Sequence, residues 1–188
     1  VRICPIYHGR YFKIQYCYLQ EEEPQDVSVD NVPAIDIGLE NLAACVTNTG
    51  TAFIMDGRKL KSINQYWNAY YQGIADKQRQ KKTHRLNALA RKRNNRTQDY
   101  IRKVARYIIN YCIEHHIGTV VCGYNGDFKR SMNLGKITNQ QFTQISFGSL
   151  RETLEGLCER YGMRYIGQEE SYTSKASCLD LDDIPVYN

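Results

Sequence analysis

Three things are scarce in this 188-residue sequence, and each scarcity removes a class of protein. No apolar run approaches the roughly 18 residues that a membrane span needs, and the N-terminus lacks a charged-then-apolar leader pattern. We therefore expect a cytoplasmic protein with no membrane partner. Paired cysteine motifs are missing as well. Cys4, Cys17, Cys45, Cys112, Cys122, Cys158 and Cys178 stand singly, most of them in apolar runs, and none has the C-x-x-C spacing of a zinc site. Reduced, mostly buried thiols are the expectation; the other reading, a disulfide framework, suits a shorter secreted chain and would leave one of an odd number unpaired. Acids, finally, are scarce in one window only. Between Asp76 and Arg106 stand twelve of the 25 Lys and Arg residues against two acids, whereas elsewhere 18 acids outnumber 13 bases. Such local basicity is the footprint of a phosphate-binding surface more than of general solubilising charge.

The length allows one substantial core, and one domain with a helical insertion is expected. Val1 is not an initiator methionine and Asn188 directly follows a Pro-containing stretch, so both ends are expected to be internal to a longer protein. From Arg10 to Leu19, aromatic and Ile residues alternate with polar ones as in a strand, and residues 21–30 form an acidic connector. Ala34 to Gly38, Leu42 to Thr47 and Thr51 to Met55 read as three strands, the last two joined by turn chemistry at Asn48, Thr49 and Gly50. Ile63, Tyr66, Trp67, Tyr70, Tyr71 and Ile74 recur at helical spacing, and the pattern resumes at Leu86, Leu89 and Ala90, which predicts one long helix with a polar middle. Asn94 and Asn95 then precede Thr97, read as the N-cap of a second helix bearing Ile101, Val104, Ala105, Ile108, Ile109 and Cys112 on one face. The two form an antiparallel hairpin. Gly118 is expected to close it before a buried strand, Thr119 to Cys122. Residues 124–144 read as a long polar loop. A helix through Leu150, Leu154, Leu157, Cys158 and Tyr161 is stopped by Gly162, and Met163 to Gln168 is a last strand. Several α/β folds share this order.

The segment Pro33-Ala34-Ile35-Asp36-Ile37-Gly38-Leu39 places one carboxylate in an otherwise apolar strand. A buried, unpaired charge there is costly unless a cation meets it. D-x-G after a strand is found in metal-dependent nucleases and in actin-like phosphate-binding folds alike, and a solvent-facing Asp at a strand end satisfies the same pattern.

The run from Asp36 to Ala43 resembles the first RuvC motif of the TnpB family of transposon-encoded RNA-guided nucleases, relatives of Fanzors and of type V CRISPR effectors. Further stretches are similar to that family in the same order: Gly123 to Lys129, Asn133 to Lys136, Asn139 to Phe142 with Ile145 and Phe147, and Gln168 to Ser177 with its Tyr172-Thr173-Ser174 block. The resemblance covers nearly the whole chain. It implies an α/β fold of RNase H-like (RuvC) type, a mixed five-stranded sheet with flanking helices and an inserted basic helical hairpin at about residues 60–116. Residues 1–30 would close a preceding wedge or β-barrel-like domain, and residues 31–188 would form a C-terminally incomplete nuclease domain.

Two departures qualify the likeness. Many family members carry a second catalytic Glu where this chain has Cys122-Gly123. In some the Glu has moved to just before the Tyr-Thr-Ser block, which points here to Glu170, with Glu169 as the alternate; ordinary exposed acids at a strand end are the other reading. The third carboxylate, expected in a downstream Asp-x-Asn stretch, is not among these residues, and Asp180, Asp182 and Asp183 read as solvated acids. The family's cysteine-rich ribbon is absent too, and no zinc is predicted.

What the resemblance implies is DNA phosphodiester hydrolysis by two Mg²⁺ (or Mn²⁺) ions held in part by Asp36 and Glu170, with guide RNA and target DNA as partners. Lys77, Arg79, Lys81, Lys82, Arg85, Arg91, Lys92, Arg93 and Arg96 are the expected phosphate contacts, joined by Lys129, Arg130 and Lys136 and by Thr173, Ser174 and Lys175. A solvated helical face is the plainer reading of the same charges. Tyr66, Trp67, Tyr70 and Tyr71 are read as packing residues. A nuclease-inactive RNA-guided DNA-binding protein is the competing function, kept open by Cys122-Gly123. An actin-like ATP-binding domain lacks the further Gly-rich loops it would need.

Overall fold

A computed structural model describes residues 1–7, 9–77, 84–124 and 147–170. Strands β1 (Arg2–Ile6) and β2 (Tyr11–Gln15) pair antiparallel as a separate two-stranded hairpin, with Gly9 at φ 77° in the turn. The alternation at Arg10 to Leu19 predicted β2; β1 carries a weaker signal and was not expected. Two strands alone are marginal, and this pair leans on the helical hairpin through Asn94, which donates to the Tyr7 hydroxyl at 2.9 Å, and through Arg91 over the Tyr11 ring.

The remaining strands form one sheet in the order β5-β4-β3-β6-β7. They are β3 (Pro33–Asp36), β4 (Asn41–Thr47), β5 (Ala52–Asp56), β6 (Thr119–Tyr124) and β7 (Arg164–Glu169). β3, β4 and β5 are an antiparallel meander, whereas β6 and then β7 run parallel to β3. Three parallel strands therefore end at one edge of the sheet. The β4–β5 turn is fixed by the residues read for it: Asn48 bonds through its side chain to the Val32 amide and the Asp30 carbonyl, and Gly50 takes φ 90°.

Alternation divides the sheet's faces. Pro33, Ile35, Ala43, Cys45, Val120 and Cys122 turn into the core, where α2 (His84–Glu114) adds Ile101, Val104, Ala105, Ile108, Ile109 and Cys112, and α3 (Phe147–Arg160) adds Leu150, Leu154 and Cys158. Ala34, Asp36, Val46 and Ile54 are exposed on the opposite face. This is the five-stranded RNase H-like sheet with flanking helices. Cys45, Cys112, Cys122 and Cys158 are buried and free, and burial holds their thiols protonated, pushed up to about 12, 12, 11 and 12. Cys4 and Cys17 are free but not buried, and Cys178 lies outside the described residues. None of the described helices is long and apolar enough to cross a membrane.

The helical insertion differs from expectation in where it breaks. α1 (Arg58–Lys77) ends before the polar middle, and α2 runs unbroken for 31 residues through Asn94, Asn95 and Thr97. Thr97 is therefore no N-cap; it is 5 % exposed in mid-helix, on the stripe that also buries Leu86 and Ile101. Two asparagines cost a helix only about 1 kcal/mol together, and the buried stripe outweighs that. Arg93 bonds to Asn64 and Arg85 to Tyr70, a pairing that makes α1 and α2 antiparallel.

Gly118 does not close α2. His116, at φ 53°, is the left-handed residue, and the Ile117 amide reaches back to the Cys112 carbonyl at 2.8 Å in a Schellman-type cap. Gly118 serves a close approach instead, because a Cβ there would sit 2.6 Å from the Ser28 carbonyl oxygen, to which the Gly118 amide donates. Gly162, at φ 67°, caps α3 as expected. The acidic connector then crosses the end of α3, held by the Glu23–Arg160 ion pair at 2.6 Å and by the Glu23 amide on the Arg160 carbonyl.

Candidate metal centre and nucleic-acid interface

Asp36 is the last residue of β3. In the parallel register Ile35 faces Cys122, so the next step along the two strands sets Asp36 beside Gly123. On the far side of β6, Gly123 faces Gln168 and Tyr124 faces Glu169, and the Glu170 amide continues the pairing by donating to the Tyr124 carbonyl at 2.9 Å. Strand alternation puts Asp36, Gly123 and Glu170 on one face of the sheet and Glu169 on the other. The Glu170 carboxylate then folds over Gly123 so closely that a Cβ at residue 123 would overlap it. Glycine is what leaves the room.

The electrostatics follow from that crowding. Partial burial raises the Glu170 pKa above the ordinary glutamate value, and the charges of Asp36 and then Glu169 raise it further. Asp36 itself is exposed, which corrects the expectation of a carboxylate buried within an apolar strand. β3 alternates buried and exposed, and Asp36 falls on the outward step. The cost that calls for a cation thus sits on Glu170 rather than on Asp36. Hard oxygen donors pressed together on a partly desolvated surface suit a divalent cation, which removes the repulsion and the desolvation penalty together. Among the described residues no three His, Cys, Asp or Glu side chains are grouped closely enough to hold a metal. Asp180, Asp182 and Asp183 lie outside them.

Gly38 has a local reason for being glycine: its amide donates to the Asn41 carbonyl in the β3–β4 turn, and a Cβ would stand 3.1 Å from that oxygen. Sequence reading passed over two residues here. In the sequence Gly123 reads as the start of a family-like stretch and as a missing acid, not as room for a neighbour, although a glycine ending one strand and a glutamate ending the next is a joint signal. Arg151 of α3 lies over the Tyr124 ring, 5.1 Å from its centre, and its charge acts on Cys122 and Tyr165.

The basic window is less uniform than its composition. Arg85, Arg91, Lys92 and Arg96 are exposed along α2. Arg93 is half-buried, donates to Asn64 and Asn94, and lies over the Trp67 ring; burial lowers its pKa. Lys103 is paired with Asp99 at 2.8 Å, and Arg106 donates to the Tyr161 hydroxyl, so those cations serve the helices. Lys77 ends α1, while Arg79, Lys81, Lys82, Lys129, Arg130, Lys136, Thr173, Ser174 and Lys175 lie outside the described residues. The packing role expected of the aromatic residues holds for Trp67 and Tyr71, which stack on each other at 4.7 Å. It does not hold for Tyr66, which is 68 % exposed.

A family model described as "Probable transposase" (OrfB_IS605) matches residues 15–128, a span that includes Asp36 and the whole helical hairpin. The chain belongs to this family. Its TnpB-type character agrees with the motifs at Asp36 and Gly123. No curated protein matches the chain. Similar solved structures include a cryo-EM structure of a Cas12f1–sgRNA–target DNA complex, with 18 % identity, a TM-score of 0.66, and 87 % of this chain and 33 % of that one covered. A cryo-EM structure of a CRISPR-Cas12f ternary complex is alike at 18 % identity, TM-score 0.64, covering 88 % and 33 %. At that identity the likeness is one of fold. The chain spans about a third of the length of these structures.

Proposed function

We propose that this TnpB-type chain is the RuvC-like part of an RNA-guided DNA endonuclease that hydrolyses phosphodiester bonds with Mg²⁺ or Mn²⁺. The observation that carries the reading is the Glu170 carboxylate folded over Gly123 beside Asp36. It bears on Cys122-Gly123: an acid from the end of β7, on the same face of the sheet, would stand in for the one missing from the end of β6. Asp36 and Glu170 would hold the ions, with Glu169 the alternate to Glu170. Two carboxylates are fewer than a two-ion site needs, so a third ligand must come from elsewhere. When bound, the ions supply an activated water and charge stabilisation on the leaving oxygen.

The chain's own residues do the rest. Asp36 and Glu170 fix where the scissile phosphate can approach, at the ends of three parallel strands. Glu170, whose ionised form is disfavoured by burial and by its acidic neighbours, makes the site dependent on a cation. Arg85, Arg91, Lys92 and Arg96, exposed along α2, would offer a positive track for a phosphate backbone, and Arg93, Lys77, Arg79, Lys81 and Lys82 are proposed as further phosphate contacts. Lys129, Arg130, Lys136, Thr173, Ser174 and Lys175 are proposed to extend it. Sequence is read by guide pairing and not by these side chains. Guide RNA and target DNA are proposed as partners, in keeping with the similar Cas12f structures, which are complexes with guide and target. Residues 1–30 are assigned to the end of a preceding domain and 31–188 to the nuclease domain.

The test is cleavage by the full-length protein with its transposon-end RNA. Mg²⁺-dependent cutting by wild type, abolished in both Asp36→Ala and Glu170→Ala, is expected. Normal cutting by both variants would sink the assignment, and loss with Asp36→Ala alone would remove Glu170 from it.

A further inference from the structure

Between α1 and α2 lies an open cleft of about 410 Å³ whose lining, among the described residues, holds Lys92, Arg93 and Arg96 but no acid. It is within the size range of small-ligand pockets. Two features of its walls face solvent. Tyr66 and Tyr70 stack with their rings nearly parallel at 7° and 6.0 Å between centres, and they are 68 % and 37 % exposed. Tyr70 is steadied by Arg85, which donates to its hydroxyl at 2.6 Å. Trp67 beside them is packed against Tyr71 and Arg93. Lys92 and Arg96 are exposed and form no ion pair among the described residues.

We infer that this cleft binds an unpaired base of a single-stranded nucleic acid, with the base stacked on Tyr66 and the adjoining phosphate against Lys92 and Arg96. Each feature selects part of that ligand. An exposed tyrosine face favours a flat π-system. Paired exposed cations without acids favour a polyanion. Helical and duplex nucleic acid keeps its bases stacked on one another, so only an unpaired nucleotide can offer a ring to Tyr66. The track of Arg and Lys along α2 is thereby more than a charged rail, since at this point it distinguishes single strands from duplex.

The inference rests on the proposed contact with nucleic acid but not on cleavage, so binding is measured on the full-length protein with divalent cations chelated. The probes are oligo(U) RNA, oligo(dT) DNA and a duplex of the same length. Tyr66→Ala should bind the preferred single strand five- to a hundredfold more weakly, the range set by losing one base–aromatic stack. Duplex affinity should not change, and Tyr66→Phe, which keeps the ring, should bind as wild type. Lys92→Ala should weaken all probes alike and lower the salt slope by about one. Crosslinks from 5-iodouracil probes should map to the peptide carrying Tyr66 and Trp67, and whichever strand gives them, RNA or DNA, is the occupant. Unchanged single-strand binding by Tyr66→Ala, equal losses for single strand and duplex, or crosslinks confined to other peptides would each overturn the inference. A variant that binds single strands poorly yet still cleaves, or the reverse, separates this cleft from the carboxylate site.

Discussion

Replacing Gly123 by alanine adds one methyl group at the point where the account is most exposed. The backbone at residue 123 is ordinary strand, so alanine brings no conformational strain. The loss of glycine's freedom in the unfolded chain should by itself stabilise by about 0.4–1 kcal/mol. Against that, the new Cβ overlaps the Glu170 carboxylate. What it strikes is the far end of a flexible side chain, which can swing away at a cost of about 1 kcal/mol for an altered rotamer. The two nearly cancel, and thermal stability should change by no more than about 1 kcal/mol in either direction. Activity should not be spared. Glu170 cannot occupy its present position beside Asp36, and a displacement on the order of 1 Å can cost about a hundredfold in rate, or about 2.7 kcal/mol of barrier. The assay is single-turnover cleavage of guide-matched DNA by the full-length protein, with a melting curve on the same sample. A folded Gly123→Ala protein that cuts at the wild-type rate would refute the reasoning, because the open space above Gly123 would then have no catalytic purpose.

Other predictions follow from the same geometry. The folded protein holds a proton on Glu170 more tightly than the unfolded chain, where a glutamate pKa is about 4.3. Metal-free stability from this group is therefore full below that pKa and is lost as pH rises through the raised folded-state value. Glu170→Gln removes the loss, so with EDTA present the variant should melt above wild type at neutral pH and match it near pH 4; equal curves at both pH values would contradict the assigned burial and repulsion. Thr97 is buried in mid-helix with a hydroxyl that finds no partner among the described residues. Thr97→Val should accordingly be neutral or stabilise by up to about 1 kcal/mol, whereas a true N-cap would lose about 1 kcal/mol, and urea unfolding distinguishes the two. Gly118→Ala drives a Cβ into the Ser28 backbone, which cannot swing aside, and should cost about 1–3 kcal/mol in the same measurement.

How legible all this was in the sequence depended on whether a feature is local. Strand alternation and helix periodicity reflect burial of one face, and they located β3 to β7 within a residue or two, along with α3 and the outer limits of the helical hairpin. The break between α1 and α2 was misplaced because Asn94, Asn95 and Thr97 have the chemistry of a cap, while the contact that overrules it, a continuous buried stripe from Leu86 to Cys112, is tertiary. His116 as the left-handed cap and Gly118 as a close approach were interchanged for a similar reason: the strand-like bridge between Ser28 and Ile117 lies far off in sequence. At the site, the pattern around Asp36 was visible, but its exposure was not, since a four-residue strand does not declare which step faces out. The relation between Gly123 and Glu170 needed the register of two parallel strands, which no local pattern encodes.

The central claim is that Asp36 and Glu170 form one cation site. Mn²⁺ binding to the full-length protein, followed by electron paramagnetic resonance, tests it without any requirement for guide or substrate. The account predicts that Asp36→Ala and Glu170→Ala each abolish tight binding, while Glu169→Ala, altered on the opposite face of the sheet, retains it. Wild-type binding by Glu170→Ala, or loss confined to Glu169→Ala, would contradict it.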